Sequence, residues 1–300
     1  MKSQKVHKTS RRLDYRAFGA FEGTRPYLYV MVLVLFFTML YSALTFLRAA
    51  GDTTLWDAFF QEDMIIENIT FLLFLGASLL FFKAGLCRNV SKRRRFFLFA
   101  LGVVLFVVAM EEISWGQRVF GWETTDWFSS GNRQRETNLH NFNDTIAHSL
   151  LWGGTLLIGV LTPLAFHILE PARKMMEKLH FPTASADLHF FFLLPFVYHY
   201  GKFSVHLKIV VTMAALALLF LSLRSPKLKG YRRELPPTWG VWLPLLLVLM
   251  GVLLYIVHST TIGISNNTQA QEAGELLFGL AFFIYAWSKS RKKLIMPRRA

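Results

Sequence analysis

The chain has 300 residues, of which 53% are hydrophobic, 15% are aromatic and only 17% are charged. Soluble domains usually carry about 25% charged residues, so this composition excludes an ordinary cytosolic enzyme. The single cysteine, Cys87, excludes a fold held together by internal disulfides. Lys and Arg outnumber Asp and Glu by 33 to 19. In so hydrophobic a chain, the positions of these charges between the apolar segments predict membrane topology.

The apolar segments predict an all-α fold, a polytopic transmembrane bundle of about eight helices. One transmembrane domain, 27–288, would lie between two basic cytoplasmic tails, 1–26 and 289–300. A helix that crosses a membrane needs about 20 mostly apolar residues. The predicted helices lie near 27–48, 63–85, 96–115, 145–168, 187–201, 203–223, 239–258 and 272–288. The fifth helix is short and contains Pro195, so the sequence leaves open whether it crosses the whole membrane.

The basic residues predict that both ends of the chain are cytoplasmic. With that topology, 27 of the 33 Lys and Arg residues are cytoplasmic, in segments 1–26, 83–95, 170–186, 224–238 and 289–300. Cytoplasmic loops of membrane proteins are rich in Lys and Arg, and these side chains also contact lipid headgroups. The sequence therefore predicts a multi-pass protein of the cell inner (plasma) membrane. Its predicted partners are membrane lipids and not nucleic acid, and its oligomeric state is left open.

Polar side chains in the predicted helices concentrate near the outer membrane face. Ionisable groups inside a membrane are costly, so each is a candidate functional residue. The outer helix ends carry Glu67, Asn68, Glu111, Glu112, His148, Glu272 and Glu275. Water and headgroups solvate such groups at helix ends without any function. Their shared depth on different helices instead favours one polar pocket that opens to the outer side.

The adjacent carboxylates Glu111 and Glu112 end one apolar helix and are followed by Gln117 and Arg118. Two neighbouring carboxylates in an apolar setting cannot both ionise cheaply, so we expect one to be protonated and suited to acid–base catalysis. Arg118 either pairs with these acids or binds a substrate phosphate. The segment that follows is aromatic and contains Trp115, Trp122 and Trp127. It either anchors the chain at the membrane interface or covers the pocket.

A divalent metal is a candidate cofactor, although the cofactor stays unknown. His140, Asp144 and His148 would share one face if the fourth helix began early, and His and Asp at this spacing bind divalent metals. Alternatively, these side chains and the neighbouring Asn138 and Asn141 form structural or substrate-binding hydrogen bonds. A third interpretation is simple helix capping by Asn138 or Asp144.

The segment EEISWGQR at 111–118, then FGWET at 120–124 and NRQRETNLHN at 132–141, carries a resemblance. It is similar to a signature of a family of uncharacterised bacterial multi-pass membrane proteins. The helix with Glu67 and Asn68 and the Glu-rich last helix also resemble the layout of that family. The resemblance implies a bacterial inner membrane and brings no settled activity.

These patterns predict an integral membrane enzyme that acts on a lipid or lipid-linked substrate at the outer face of the inner membrane. The predicted catalytic residues are Glu111, Glu112 and His140. The predicted substrate contacts are Arg118, Gln117, Asn138, Asn141, Glu67, Asn68, Glu272 and Glu275. Two other classes stay open: a proton- or cation-coupled transporter or flippase, and a non-catalytic membrane assembly factor. A transporter would be favoured by an inverted internal repeat, and the sequence shows no convincing one.

Overall fold

The computed structural model describes residues 25–60, 65–132, 136–139, 142–185, 188–198 and 267–291. Within these ranges every regular element is helical and no strand occurs, so the predicted all-α class is confirmed for this part of the chain. The predicted helices near 203–223 and 239–258 and nearly all of the two basic tails lie outside the described residues.

The helices are α1 (Arg25–Ala49), α2 (Thr54–Phe60), α3 (Ile65–Leu86), α4 (Lys92–Glu112), α5 (Gln117–Phe120), α6 (Asp126–Gly131), α7 (Asp144–Leu156), α8 (Thr162–Ile168), α9 (Glu170–Leu179), α10 (His189–Tyr198) and α11 (Asn267–Arg291). A 3₁₀ turn, Ser114–Gly116, follows α4, and a π-helical turn, Leu157–Leu161, joins α7 to α8. The predicted helix near 96–115 therefore ends three residues early, at Glu112. The short helices α2, α5, α6 and α9 were not predicted.

Two helical segments of the described residues are long and apolar enough to cross a membrane, Ile65–Leu86 and Ser149–Phe166. A third apolar helix, Leu35–Ala49, is shorter. α4 is apolar over its centre, but it has Arg94 and Arg95 near its start and the ionisable residues Glu111 and Glu112 at its end.

The core is built around α3, which packs against α4 on one side and α11 on the other. α3 and α4 are antiparallel, since Ser78 Oγ donates to Gly102 O at 2.7 Å and the Phe82 and Phe99 rings lie 5.6 Å apart further along α3. Aromatic rings fill the space between the helices, and Phe81, for example, is fully buried.

α3 and α11 are parallel, as their contacts advance together along both helices. Thr70 and Leu73 approach Gly279, and Gly76 approaches Phe283. A methyl group added to Gly279 would lie 3.1 Å from Leu73 Cβ, so the missing side chain allows the two backbones to approach closely.

α7, the π-turn and α8 form one helical rod that runs parallel to α11. Trp152 packs edge-on against Phe278 at 4.6 Å. Further along, Gly159 lies against Phe192 of α10, and that ring packs on Phe282 at 5.3 Å. Pro163, the second residue after the π-turn, cannot donate a backbone hydrogen bond. Accordingly, Thr162 N donates to Leu157 O, five residues back.

The molecule has two chemically different ends. We call the end where α4 finishes and α3, α7 and α11 begin the polar end. The opposite, basic end carries Lys83, the start of α4 and the last turn of α11. The chain after α9 is fastened across the basic end, because Lys289 Nζ donates to Thr183 O at 2.6 Å and Phe97 packs on Phe181 at 5.1 Å.

Candidate functional site

A left-handed turn terminates α4 at the polar end. Ser114, Trp115 and Gly116 have φ values of 47°, 55° and 87°. Left-handed backbone is ordinary for glycine, but it costs about 1–2 kcal/mol for each L-residue with a side chain. Such strain persists only where surrounding interactions hold it, so the neighbouring hydrogen bonds must fix this turn.

Ser114 is held by residues that follow it by more than 20 positions. Its hydroxyl donates to Glu136 Oε2 at 2.7 Å and accepts from Asn138 Nδ2 at 3.0 Å. Asn138 Nδ2 also donates to Glu136 Oε2 at 2.9 Å, while Asn132 Nδ2 donates to Asn138 Oδ1 at 2.7 Å. Ser114, Asn132 and Asn138 are buried. These residues therefore bond to one another and to Glu136, and the resulting cluster joins the turn to the loop.

Glu111 and Gln117 connect the same turn to the loop backbone. Glu111 accepts from Trp115 Nε1 and from Leu139 N, both at 2.6 Å, one at each carboxylate oxygen. Gln117 Oε1 accepts from Thr137 N at 2.7 Å, and its Nε2 donates to Thr124 Oγ1. Two side chains near the end of α4 thus fix the path of the loop on both sides.

We call these side chains the polar loop network: Glu111, Ser114, Gln117, Asn132, Glu136 and Asn138. Sequence reasoning selected Glu111, Gln117 and Asn138 as site residues and missed Ser114, Asn132 and Glu136. The sequence did contain a signal for these three residues, because the two halves of the motif, EEISWGQR and NRQRETNLHN, supply every residue of the polar loop network. The spacing within each half gave no indication that the halves bond to each other.

Aromatic side chains lie near both halves of the polar loop network, at Gly116 and at Gly131. Phe120 and Trp122 stack at 5.4 Å and are 74% and 44% exposed. Trp127, Phe128 and Phe142 form a second cluster, with Trp127 4.8 Å from each of the other two rings. Exposed aromatics at the end of apolar helices are typical of the membrane–water interface.

The helix register brings other candidate carboxylates to the polar end. Continuing the α3–α11 register toward the start of both helices places Glu275 level with Glu67 and Asn68. The antiparallel register of α4 places Glu112 within about one turn of that level. The side chains of Glu67, Glu112 and Glu275 are partly buried, and that of Asn68 is exposed.

The candidate metal ligands are only partly described. α7 begins at Asp144 with Asn143 as its N-cap, whose side chain accepts from Ile146 N at 3.1 Å. Helical spacing therefore aligns Asp144 with His148 but does not extend back to His140. His140 and Asn141 lie outside the described residues. The side chains of four further candidates are also not described: Arg118, Asp144, His148 and Glu272. Among described side chains, no group of three or more His, Cys, Asp or Glu is arranged to hold a metal ion.

No protein-family model matches the chain, and no curated protein or solved structure is significantly similar to it.

Proposed function

We propose that this chain is a multi-pass protein of the bacterial inner membrane that acts as an enzyme on a lipid or lipid-linked substrate at the outer face. One observation carries the proposal. The register of three packed helices, α3, α4 and α11, brings Glu67, Glu112 and Glu275 to one level at the polar end, the end at which the polar loop network fixes the loop after α4. Ionisable groups in apolar helices are expensive, and where they occur they commonly mark functional sites.

Several features support the membrane placement. The apolar segments Ile65–Leu86 and Ser149–Phe166 are long enough to cross a bilayer. Leu72, Leu79 and Leu150 on these segments are exposed, as expected where lipid covers a helix. The directions of α3, α4, α7 and α11 agree with the predicted topology. The bundle of eight helices with both ends cytoplasmic belongs to this proposal.

The hydrogen bonds suggest separate roles for the two adjacent carboxylates. Glu111 is a positioning residue, because both of its oxygens accept N–H groups that fix the turn and the loop. Proton transfer is assigned to Glu112, with Glu67 and Glu275 at its level as partners or substrate contacts. Gln117 and Asn138 bond within the loop, which favours a positioning role for them over direct substrate contact.

The remaining candidates keep their sequence-based roles in the proposal. Arg118, Asn141, Glu272 and Asn68 are assigned as substrate contacts. His140 is a catalytic candidate, and a divalent metal would be bound by His140, Asp144 or His148. Metal analysis of the purified protein tests this last assignment directly.

The depth of the carboxylates favours an enzyme over a coupled transporter. A proton or cation pathway across the membrane needs polar groups at several depths, whereas the described carboxylates of the core helices lie at one end. An enzyme that attacks a polar headgroup needs acid–base groups only at that surface. A non-catalytic assembly factor would need no proton-transfer residue at all, and this difference can be tested.

The test compares three single substitutions for complementation of a deletion strain, with membrane levels measured in parallel. We expect Glu112→Gln to abolish function while the protein still accumulates, because Gln keeps the volume but cannot transfer a proton at neutral pH. Glu123→Gln is the matched control, an exposed carboxylate on the loop that follows α4, and it should complement fully. His140→Ala should fail to complement as well.

Full complementation by Glu112→Gln would refute proton transfer by this residue. It would favour a non-catalytic assembly factor over an enzyme. Loss of the protein itself from the membrane would make Glu112 a folding element, and the enzyme proposal would then lose its principal residue.

A further inference from the structure

α9 is a short helix whose two ends meet two apolar helices at the basic end. It begins four residues after Phe166, where the apolar segment 149–166 finishes. Extended backbone at Leu169 (φ −104°, ψ 111°) and the following Pro171 change the direction of the chain there. At the other end of α9, Arg93 Nη1 in the first turn of α4 donates to Lys178 O at 2.9 Å.

These two attachments determine how α9 lies. A helix of ten residues is about 15 Å long, half of the hydrocarbon thickness of a bilayer, so α9 cannot cross it. Its start follows the end of one apolar helix and its last turn touches the beginning of another. Since both attachments are at the same end of the bundle, the axis of α9 runs across that end and along the membrane plane.

Helical spacing divides α9 into two opposite faces. One face carries Ala172, Met175, Met176 and Leu179, and the other carries Glu170, Arg173, Lys174, Glu177 and Lys178. No residue of α9 is buried by the described part of the chain, and Met175 is 55% exposed. Amphipathic helices of this kind lie in the membrane interface, with the apolar face at the acyl boundary and the basic face among the headgroups.

The charges around α9 are predominantly positive. Glu170 pairs with Lys174 at 2.9 Å, and this hydrogen bond and the positive charge of Lys174 lower the pKa of the Glu170 carboxyl. Exposed basic side chains remain at Arg93 and Lys178. A second hydrogen bond, between Ser91 Oγ and His180 Nδ1 at 2.9 Å, joins the end of α9 to the start of α4. It keeps Lys178 close to Arg93.

We propose that α9 is an interfacial helix that binds the anionic phospholipid surface of the cytoplasmic leaflet. Met175 and Leu179 enter the acyl boundary, while Arg93 and Lys178 lie at headgroup phosphates. The inference rests on the membrane placement proposed above. By fixing the depth of the basic end, α9 would also set the depth at which the polar end meets the opposite leaflet.

The test uses the full chain, reconstituted in phosphatidylcholine vesicles with and without about 30% phosphatidylglycerol. Replacing Cys87, the single cysteine, by Ser allows one spin label each at Met175→Cys, Lys174→Cys and Leu157→Cys. The ratio of oxygen to nickel-chelate accessibility reports depth. We expect this ratio to be at least about threefold higher at position 175 than at position 174, and to fall at 175 without the anionic lipid.

The label at Leu157 separates the two proposals, because this residue is exposed in the middle of the segment 149–166. A lipid-buried label at 157 with equal water exposure at 174 and 175 would overturn the interfacial helix and leave the membrane placement standing. A water-exposed label at 157 would overturn both. An unchanged ratio at 175 in pure phosphatidylcholine would refute the preference for anionic lipid.

Discussion

Ser114 and Trp115 are held in a backbone conformation that their side chains disfavour. The indole of Trp115 donates to Glu111, and the hydroxyl of Ser114 lies between Glu136 and Asn138. These hydrogen bonds offset the strain of the turn. The turn directs the chain away from the axis of α4. The residues that surround the turn are therefore coupled, and the loss of one weakens the others.

Glu136→Gln tests this coupling. The substitution keeps the volume but replaces a charged acceptor that receives two hydrogen bonds, so we expect a loss of about 1–3 kcal/mol in the free energy of unfolding. Thermal unfolding of the purified protein in detergent measures it. Glu123→Gln, on an exposed side chain of the same loop, should leave the midpoint unchanged. Equal midpoints for the two variants would mean that the network does not hold the turn.

Residue-scale chemistry explains which site residues could be predicted. Glu111 and Glu112 were recognisable as candidates because carboxylates are rare in apolar helices. Ser114 was not, since a serine at a helix end gives no sign that it will bond to residues 22 positions later. Left-handed backbone at a tryptophan is equally invisible, because it is imposed by distant partners and opposes local preference.

At the scale of elements, hydrophobic runs predicted the long helices among the described residues but extended one of them too far. The prediction continued one helix to residue 115, because Ile113 and Trp115 are apolar, whereas the left-handed turn ends it at Glu112. α9 escaped prediction because it is short and mostly polar, and because its helix is stabilised by docking at its C-terminal end. Helix ends depend on such tertiary contacts more than the apolar centres do.

The rod formed by α7, the π-turn and α8 provides a test of close packing. A methyl group added to Gly159 would overlap the ring of Phe192, while one added to Gly153 would meet no atom within 4 Å. We expect Gly159→Ala to destabilise by about 1–3 kcal/mol. Gly153→Ala should be neutral or stabilise by up to about 1 kcal/mol, because it lowers the entropy of the unfolded chain. Thermal unfolding of both variants decides; a Gly159→Ala variant as stable as Gly153→Ala would show that α10 does not pack there.

At the scale of the whole molecule, the charge distribution separates two ends. The described core carries Lys83, Arg93 and Arg291 at one end and Glu67, Glu112 and Glu275 at the other. The uneven distribution of Lys and Arg along the sequence predicts such a polarity, and in the proposed topology the basic end is the cytoplasmic one. The pairing of α3 with α11 was not predictable, since apolar helices offer many equivalent partners.

Reporter fusions test the proposed orientation. Fusions after residues 90 and 230 should report a cytoplasmic position, and one after residue 130 an external position, because the Lys and Arg excess orients the chain. The fusion after 130 lies in the loop that contains the polar loop network. A cytoplasmic signal there would invert the protein and place its carboxylates at the inner leaflet.

The parallel contact of α3 with α11 has a kinetic consequence. About 180 residues separate the two helices, so this part of the core has high contact order and closes late. Until 267–291 is synthesised, the face of α3 that contacts α11 lacks this neighbour, and incompletely folded chains are degraded by cellular proteases. A chain stopped after residue 266 should therefore insert, but pulse–chase labelling should show it degraded faster than the full chain. Supplying 267–300 as a separate polypeptide should slow that loss.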